Sequence, residues 1–141
     1  MSERDKPFDD AAVHAVGQAF GRELQALGLM AVTAESCTGG LVAVALTETA
    51  GSSAWFDRGF VTYTNQSKHQ LLGVPLAVLE AHGAVSEPVA REMALGALRH
   101  SGAQLAMAVT GIAWIWFRCW CTWCIPCWIN WNWHINGSFP I

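Results

Sequence analysis

The chain has no excess of basic residues. Its 8 Lys and Arg stand against 11 Asp and Glu, a formal charge of −3, so nothing points to nucleic acid as a partner. The start, Met1 to Asp10, is polar and charged and lacks the apolar run of a signal peptide, which makes a cytoplasmic location the expectation. No internal repeat and no linker interrupts the chain. Up to residue 113 there is one cysteine, Cys37, which excludes a disulfide framework and fits a reducing compartment. Beyond that point charge is what is missing. From Trp114 to Ile141 the only Lys, Arg, Asp or Glu is Arg118, while seven of the eight Trp and four of the five Cys crowd between Trp114 and Trp133. Residues 1–113 therefore read as an ordinary soluble domain, and 114–141 as a Trp- and Cys-rich tail of another character.

Within the first part, helix and strand periods alternate. Val13, Val16, Phe20, Leu24 and Leu27 recur at three- and four-residue steps, predicting a helix from a cap at Asp9 or Asp10 to Gly28, with that set as its buried face. Leu29 to Thr33 reads as a short buried strand. Leu41 to Ala50 reads as a helix apolar on most of its surface, hence buried, and broken by Gly51-Ser52-Ser53. Asp57 to Thr64 alternates as a strand. Asn65 is the expected cap of a helix from Gln66 to Leu72, ended by Gly73 and Pro75. A short helix around Leu76, Val78 and Leu79 closes at Gly83. Ser86-Glu87-Pro88 opens another, with Ser86 as cap and Pro88 in the first turn, running to about Ser101. Leu105 to Val109 is the last strand. Such alternation predicts an α/β fold with a central sheet. Parallel strands would bring Ser36, Tyr63 and Thr110 to one edge, where ligands of open α/β sheets bind.

The segment Ala34-Glu35-Ser36-Cys37-Thr38-Gly39-Gly40 joins the first strand to the next helix. Backbone N–H groups at such a turn can hold an anion or a developing oxyanion, and a serine there is placed to attack. Amide or ester cleavage also needs a base. No histidine is placed to serve Ser36: His14, His69, His82 and His100 fall on helical or loop stretches. Lys68, five residues after Tyr63, is the better partner, provided that burial or a nearby cation lowers its pKa; Ser–Lys pairs are a variant of triad chemistry. Tyr63 could pass a proton or orient the lysine, and Thr38, Gly39 and Gly40 could supply N–H donors. Each residue also has a plain structural reading: Ser36 as a helix cap, the glycines as a tight turn, Tyr63 as core, Lys68 as a solvated helix residue, Cys37 as a small buried side chain.

Four segments in order resemble one family. They are Ala34 to Gly40, Val61-Thr62-Tyr63-Thr64-Asn65-Gln66-Ser67-Lys68, Gly83-Ala84-Val85-Ser86, and Val109-Thr110-Gly111-Ile112-Ala113. Together they are similar to the CinA C-terminal domain family, over residues from about 10 to 113. The resemblance implies a three-layer α/β/α sandwich. It implies hydrolysis of the carboxamide of nicotinamide mononucleotide to nicotinate mononucleotide and ammonia, with no metal or other cofactor. The family's serine, tyrosine and lysine fall on Ser36, Tyr63 and Lys68, the catalytic set. Thr38, Gly39, Gly40, Asn65, Thr110 and Gly111 would line the substrate site. The small-molecule substrate is the expected partner, with no nucleic acid and no membrane. Beginning at this domain, the chain resembles the stand-alone members.

After Ala113 the family's Gly-Pro loop, Gly-Thr-Val strand and last helix are not found. Four readings compete for 114–141. An out-of-frame stretch would yield Trp and Cys in bulk, since their codons share a TG start, and the composition favours this reading. Cys119, Cys121, Cys124 and Cys127 form C-x-C-x2-C-x2-C, tighter than paired zinc hooks. Trp114 to Ile129 is too short to span a membrane and suits an interface better. A genuine but unusual cap is the fourth. A genuine tail would expose Trp and Ile as an adhesive patch, predicting self-association into a homo-oligomer. It would also remove the loop after Thr110, predicting impaired turnover. The rival to an enzyme is thus an inactive paralogue or nucleotide-binding module.

Overall fold

The computed structural model describes residues 10–112; the tail with its cysteines, and Asp9 as a cap, lie outside the described residues. Helix α1 (Asp10–Leu27) leads to β1 (Ala31–Glu35), α2 (Leu41–Thr47), a 3-10 turn (Ser52–Ala54) and β2 (Phe56–Val61). Then come α3 (Asn65–Leu72), α4 (Leu76–His82), α5 (Glu87–Arg99) and β3 (Leu105–Val109). The strands form a parallel sheet in the order β2-β1-β3. The chain therefore runs from β1 to one neighbour through α2, then back past β1 to the other through α3, α4 and α5. That reversal makes the C-terminal end of β1 a topological switch point, where α/β sheets open a crevice.

Alternation along β1 explains the layers. Val32 and Ala34 enter a core with Leu72, Val74, Leu79, Val89, Met93, Ala106 and Ala108. Ala31 faces the other side, with Leu24 and Trp55. Successive strand residues point to opposite faces, so α1 and α2 cover one side and α3 to α5 the other. This is the expected α/β sandwich.

Several elements depart from expectation. The first strand lies two residues later than predicted, which makes Glu35 part of it. β2 stops at Val61, so Thr62, Tyr63 and Thr64 lie past its end. α3 begins at Asn65, and the cap is Thr64: its Oγ1 accepts from the Ser67 N–H at 3.0 Å, while Ser67 Oγ accepts from the Thr64 N–H at 3.1 Å. A threonine with a hydroxyl residue three positions on closes both donors of a capping box, and Asn65 has no such return bond.

The buried face of α1 is also offset. Gly17, Gly21 and Leu24 are buried, while Val16 and Leu27 are 70% and 68% exposed. A Cβ at Gly17 would collide with the Ala45 carbonyl, and one at Gly21 with the Trp55 indole. Close approach selects the stripe without side chains, a feature that counting large apolar residues overlooks. α2 is shorter than predicted and only Leu46 is buried; Leu41 and Val44 are exposed. It leans on α1 along one side and leaves the other open. Trp55 joins this layer, its Nε1–H donating to the Leu46 carbonyl at 3.0 Å.

Candidate active site

Sheet register decides what stands at the crevice. Glu35 is paired with Val61 on one side and Val109 on the other. Ser36, Thr62 and Thr110 therefore stand level, one step past three parallel strands. The ladder continues through them: the Thr62 N–H donates to the Glu35 carbonyl at 2.7 Å, and the Ser36 N–H to the Val109 carbonyl at 2.9 Å. All three are buried.

Side-chain alternation then sends Glu35 and Ser36 opposite ways. Ser36 faces the layer of α3. There Lys68, one turn past the Thr64 cap, is 1% exposed, and its Nζ lies 3.0 Å from Ser36 Oγ. The same nitrogen reaches the Thr62 carbonyl at 2.8 Å and the Tyr63 carbonyl at 3.3 Å. Carbonyl oxygens only accept. A neutral amine has two N–H bonds and one lone pair, so with both hydrogens on the carbonyls its lone pair is left for the Ser36 hydroxyl proton. Among the described residues no carboxylate forms an ion pair with Lys68. Burial pushes its pKa below the ordinary lysine value, and the neighbouring Cys37 opposes that only in part. A buried amine without a counter-charge, beside a hydroxyl, has the environment of a base.

Glu35 faces α2 and is equally buried. Its Oε2 accepts from Thr38 Oγ1 at 2.7 Å and from the N–H groups of Gly40 and Val42, both at 3.0 Å. Its Oε1 accepts from the Ala43 N–H at 2.8 Å. Gly39 and Gly40 take φ of 59° and 109°, which turns the chain sharply into α2 at little steric cost. The Gly39 N–H donates to the Ser36 carbonyl at 3.1 Å. The N–H groups of both glycines are thus occupied, while those of Cys37 and Thr38 have no partner among the described residues.

Tyr63 meets Lys68 through its backbone carbonyl, and the residue is 62% exposed. Asn65 is exposed at the start of α3. Thr110 Oγ1 donates to the Ala84 carbonyl at 2.7 Å, tying the end of β3 to the loop before α5. Gly111 follows, half-buried. Two residues went unrecognised as part of the site. Glu35 had one signal, a lone acid closing an apolar strand just before a Gly-Gly turn. Thr62 had none, since only the register brings it level with Ser36; it is fully buried, and its hydroxyl has no partner among the described residues. No set of His, Cys, Asp and Glu among the described residues is grouped to hold a metal ion, and no described helix is long and apolar enough to cross a membrane.

A strand-end serine against a buried lysine, at the edge of a parallel sheet, can be compared with known proteins. The sequence pattern of the CinA C-terminal domain matches residues 13–114. The chain belongs to that family. Among its CinA-family relatives, the nicotinamide-nucleotide amidohydrolase PncC of Enterobacter agglomerans is 57% identical over 106 residues, 75% of this chain and 65% of that protein. The protein of the same name in Escherichia coli K12 is 52% identical over 104 residues, 74% of this chain and 63% of its own. The crystal structure of the competence/damage inducible protein CihA from Agrobacterium tumefaciens superposes with a TM-score of 0.72 at 51% identity, covering 76% of this chain and 65% of that one. The chain thus spans just under two thirds of the length of these CinA-family relatives.

Proposed function

We propose that this chain is a serine amidohydrolase that cleaves the carboxamide of nicotinamide mononucleotide, giving nicotinate mononucleotide and ammonia. The observation that carries the reading is the buried Lys68 amine 3.0 Å from Ser36 Oγ. The names of the relatives supply the substrate.

In this mechanism neutral Lys68 accepts the Ser36 hydroxyl proton as Oγ attacks the amide carbon. The resulting ammonium keeps two donors on the Thr62 and Tyr63 carbonyls, which stabilise it. It returns the proton to the amide nitrogen as the C–N bond breaks, and ammonia leaves. Water then attacks the acyl ester, its proton passing to Lys68, which returns it to Ser36 Oγ as the C–O bond breaks; the acid product leaves and ionises to the carboxylate. Tyr63 orients the lysine through its carbonyl. Thr38, Gly39, Gly40, Asn65, Thr110 and Gly111 form the rim that receives the nucleotide, and no metal takes part.

A proton NMR time course of nicotinamide mononucleotide with the purified chain tests this. Conversion by the parent and not by Ser36→Ala is expected. Line broadening without conversion would instead favour the nucleotide-binding reading, which the unfamiliar sequence after Ala113 motivates. Neither broadening nor conversion would defeat both.

A further inference from the structure

We propose that Glu35 is a positioning residue that fixes the turn after Ser36 and leaves the Cys37 and Thr38 N–H groups as the oxyanion donors. The inference rests on the reading of Ser36 as a nucleophile. A helix start leaves several backbone N–H groups without partners, and a glycine turn ahead of it adds more. Here most are already taken. Gly40, Val42 and Ala43 donate to the two Glu35 oxygens, and Thr38 adds its hydroxyl. The Gly39 and Leu41 N–H groups donate to the Ser36 and Thr38 carbonyls, each at 3.1 Å. The carboxyl group is 1% exposed, so water does not compete for these bonds.

Two donors are left among the described residues, those of Cys37 and Thr38. They belong to the turn itself, not to the first turn of α2. The N–H of the residue after a nucleophile lies within reach of the oxygen on the carbon being attacked, and serves as an oxyanion donor in serine hydrolases of other folds. Glu35 and Ser36 are adjacent in sequence and point to opposite faces of the sheet. One holds the turn from behind while the other attacks from the front. A preorganised donor is effective because it need not move as charge develops. The glycines then serve as the bend that brings four donors onto one carboxyl group, not as the oxyanion site.

A fluorophosphonate probe tests the proposal without depending on the nucleotide. Ser36 Oγ forms a bond to phosphorus, the P–F bond breaks, fluoride leaves, and the hydroxyl proton passes to Lys68. The phosphoryl oxygen then occupies the oxyanion position. Labelling rates are compared on the alkaline plateau, where Lys68 is neutral in each protein, together with thermal midpoints. Glu35→Gln puts an amide N–H₂ against backbone donors and should label about tenfold or more slowly while still folded. A plateau rate equal to the parent's, with only a lowered midpoint, would mean a purely structural role and overturn the proposal. Absence of Ser36 labelling in the parent would overturn it too.

If Glu35→Gln does not fold, amide resonances of the unaltered chain decide. On phosphonylation the Cys37 and Thr38 N–H protons should move downfield while Gly40, Val42 and Ala43 stay. Movement of Gly40 in their place would overturn the assignment. Labelling at Ser36 without hydrolysis of nicotinamide mononucleotide would refute the proposed substrate and leave this inference standing.

Discussion

Lys68 Nζ and Ser36 Oγ lie 3.0 Å apart although 32 positions separate them in sequence. Different elements deliver them, β1 from the middle of the sheet and α3 from the layer above. Their distance depends on the tilt of α3, which is set at one end by the Thr64 cap and at the other by packing against α5. The same contact combines a desolvated amine with a hydroxyl whose only side-chain hydrogen bond among the described residues is to that amine, and its consequences are measurable.

Turnover should rise with pH as Lys68 loses its proton, and level off below the ordinary lysine value of about 10.4, because burial lowers its pKa. The pH profile of kcat/KM checks this. Stability follows the same titration. Between the lowered native pKa and the ordinary value the unfolded chain binds more protons than the folded one, so stability rises with pH across that window. Urea unfolding across the window should show that slope, and Lys68→Met should remove both the slope and the activity. Because the variant buries no amine, it should still fold at neutral pH, although the Thr62 and Tyr63 carbonyls lose their donor, at a cost of about 1–3 kcal/mol.

Ser36→Ala should lower turnover by about 10³-fold or more, the scale on which nucleophile removal acts. It takes one hydrogen bond from Lys68, so a stability change of about 0.5–1.5 kcal/mol is expected. Steady-state assay and thermal melting check the two numbers. Broadened nucleotide resonances in the variant would show that the rim still binds.

Gly17→Ala and Gly96→Ala should both destabilise. Alanine is favoured over glycine in a helix by about 1 kcal/mol. The new Cβ, however, would run into the Ala45 carbonyl at position 17 and the Leu72 carbonyl at position 96. Backbone cannot yield as a side chain does, and overpacking of this kind costs about 1–3 kcal/mol or more, so the clash wins. Gly102, with open space where a Cβ would go, is the control: Gly102→Ala should stay within about 0.5 kcal/mol of the parent by denaturant titration.

Thr64→Ala should cost about 1 kcal/mol through loss of the capping box, a fall in melting temperature of about 3–5 °C for a chain of this size. Asn65→Ala, one residue on, should leave the melting temperature unchanged. Since Lys68 sits one turn beyond the cap, fraying at Thr64 should also lower kcat more than it raises KM.

Much of the frame was legible in the residues. Ser86 and Pro88 announce the start of α5, Gly73 and Gly83 end α3 and α4, and the apolar run from Leu105 to Val109 is β3. These are local signals, carried by the φ preferences of glycine and proline and by side-chain period. Cap chemistry is less certain at one-residue resolution, since Thr64 and Asn65 are both good caps, and only the return bond from Ser67 chooses between them. The buried face of α1 was misjudged because close helix packing selects Gly17 and Gly21, which periodicity of large residues ignores.

The sequence by itself determined the alternation of strand and helix, the turn after Ser36 and the candidate pair Ser36 and Lys68, because each has a nearby cause in residue type and spacing. Only the tertiary structure decided that Lys68 is buried with no ion-pair partner among the described residues and that Thr62 stands level with Ser36. It alone decided that Glu35 takes the donors of the glycine turn. Those facts come from strand register and from side chains facing opposite sides of a sheet. A shift of one residue reverses both, so they are set by the packed whole and not by any segment of it.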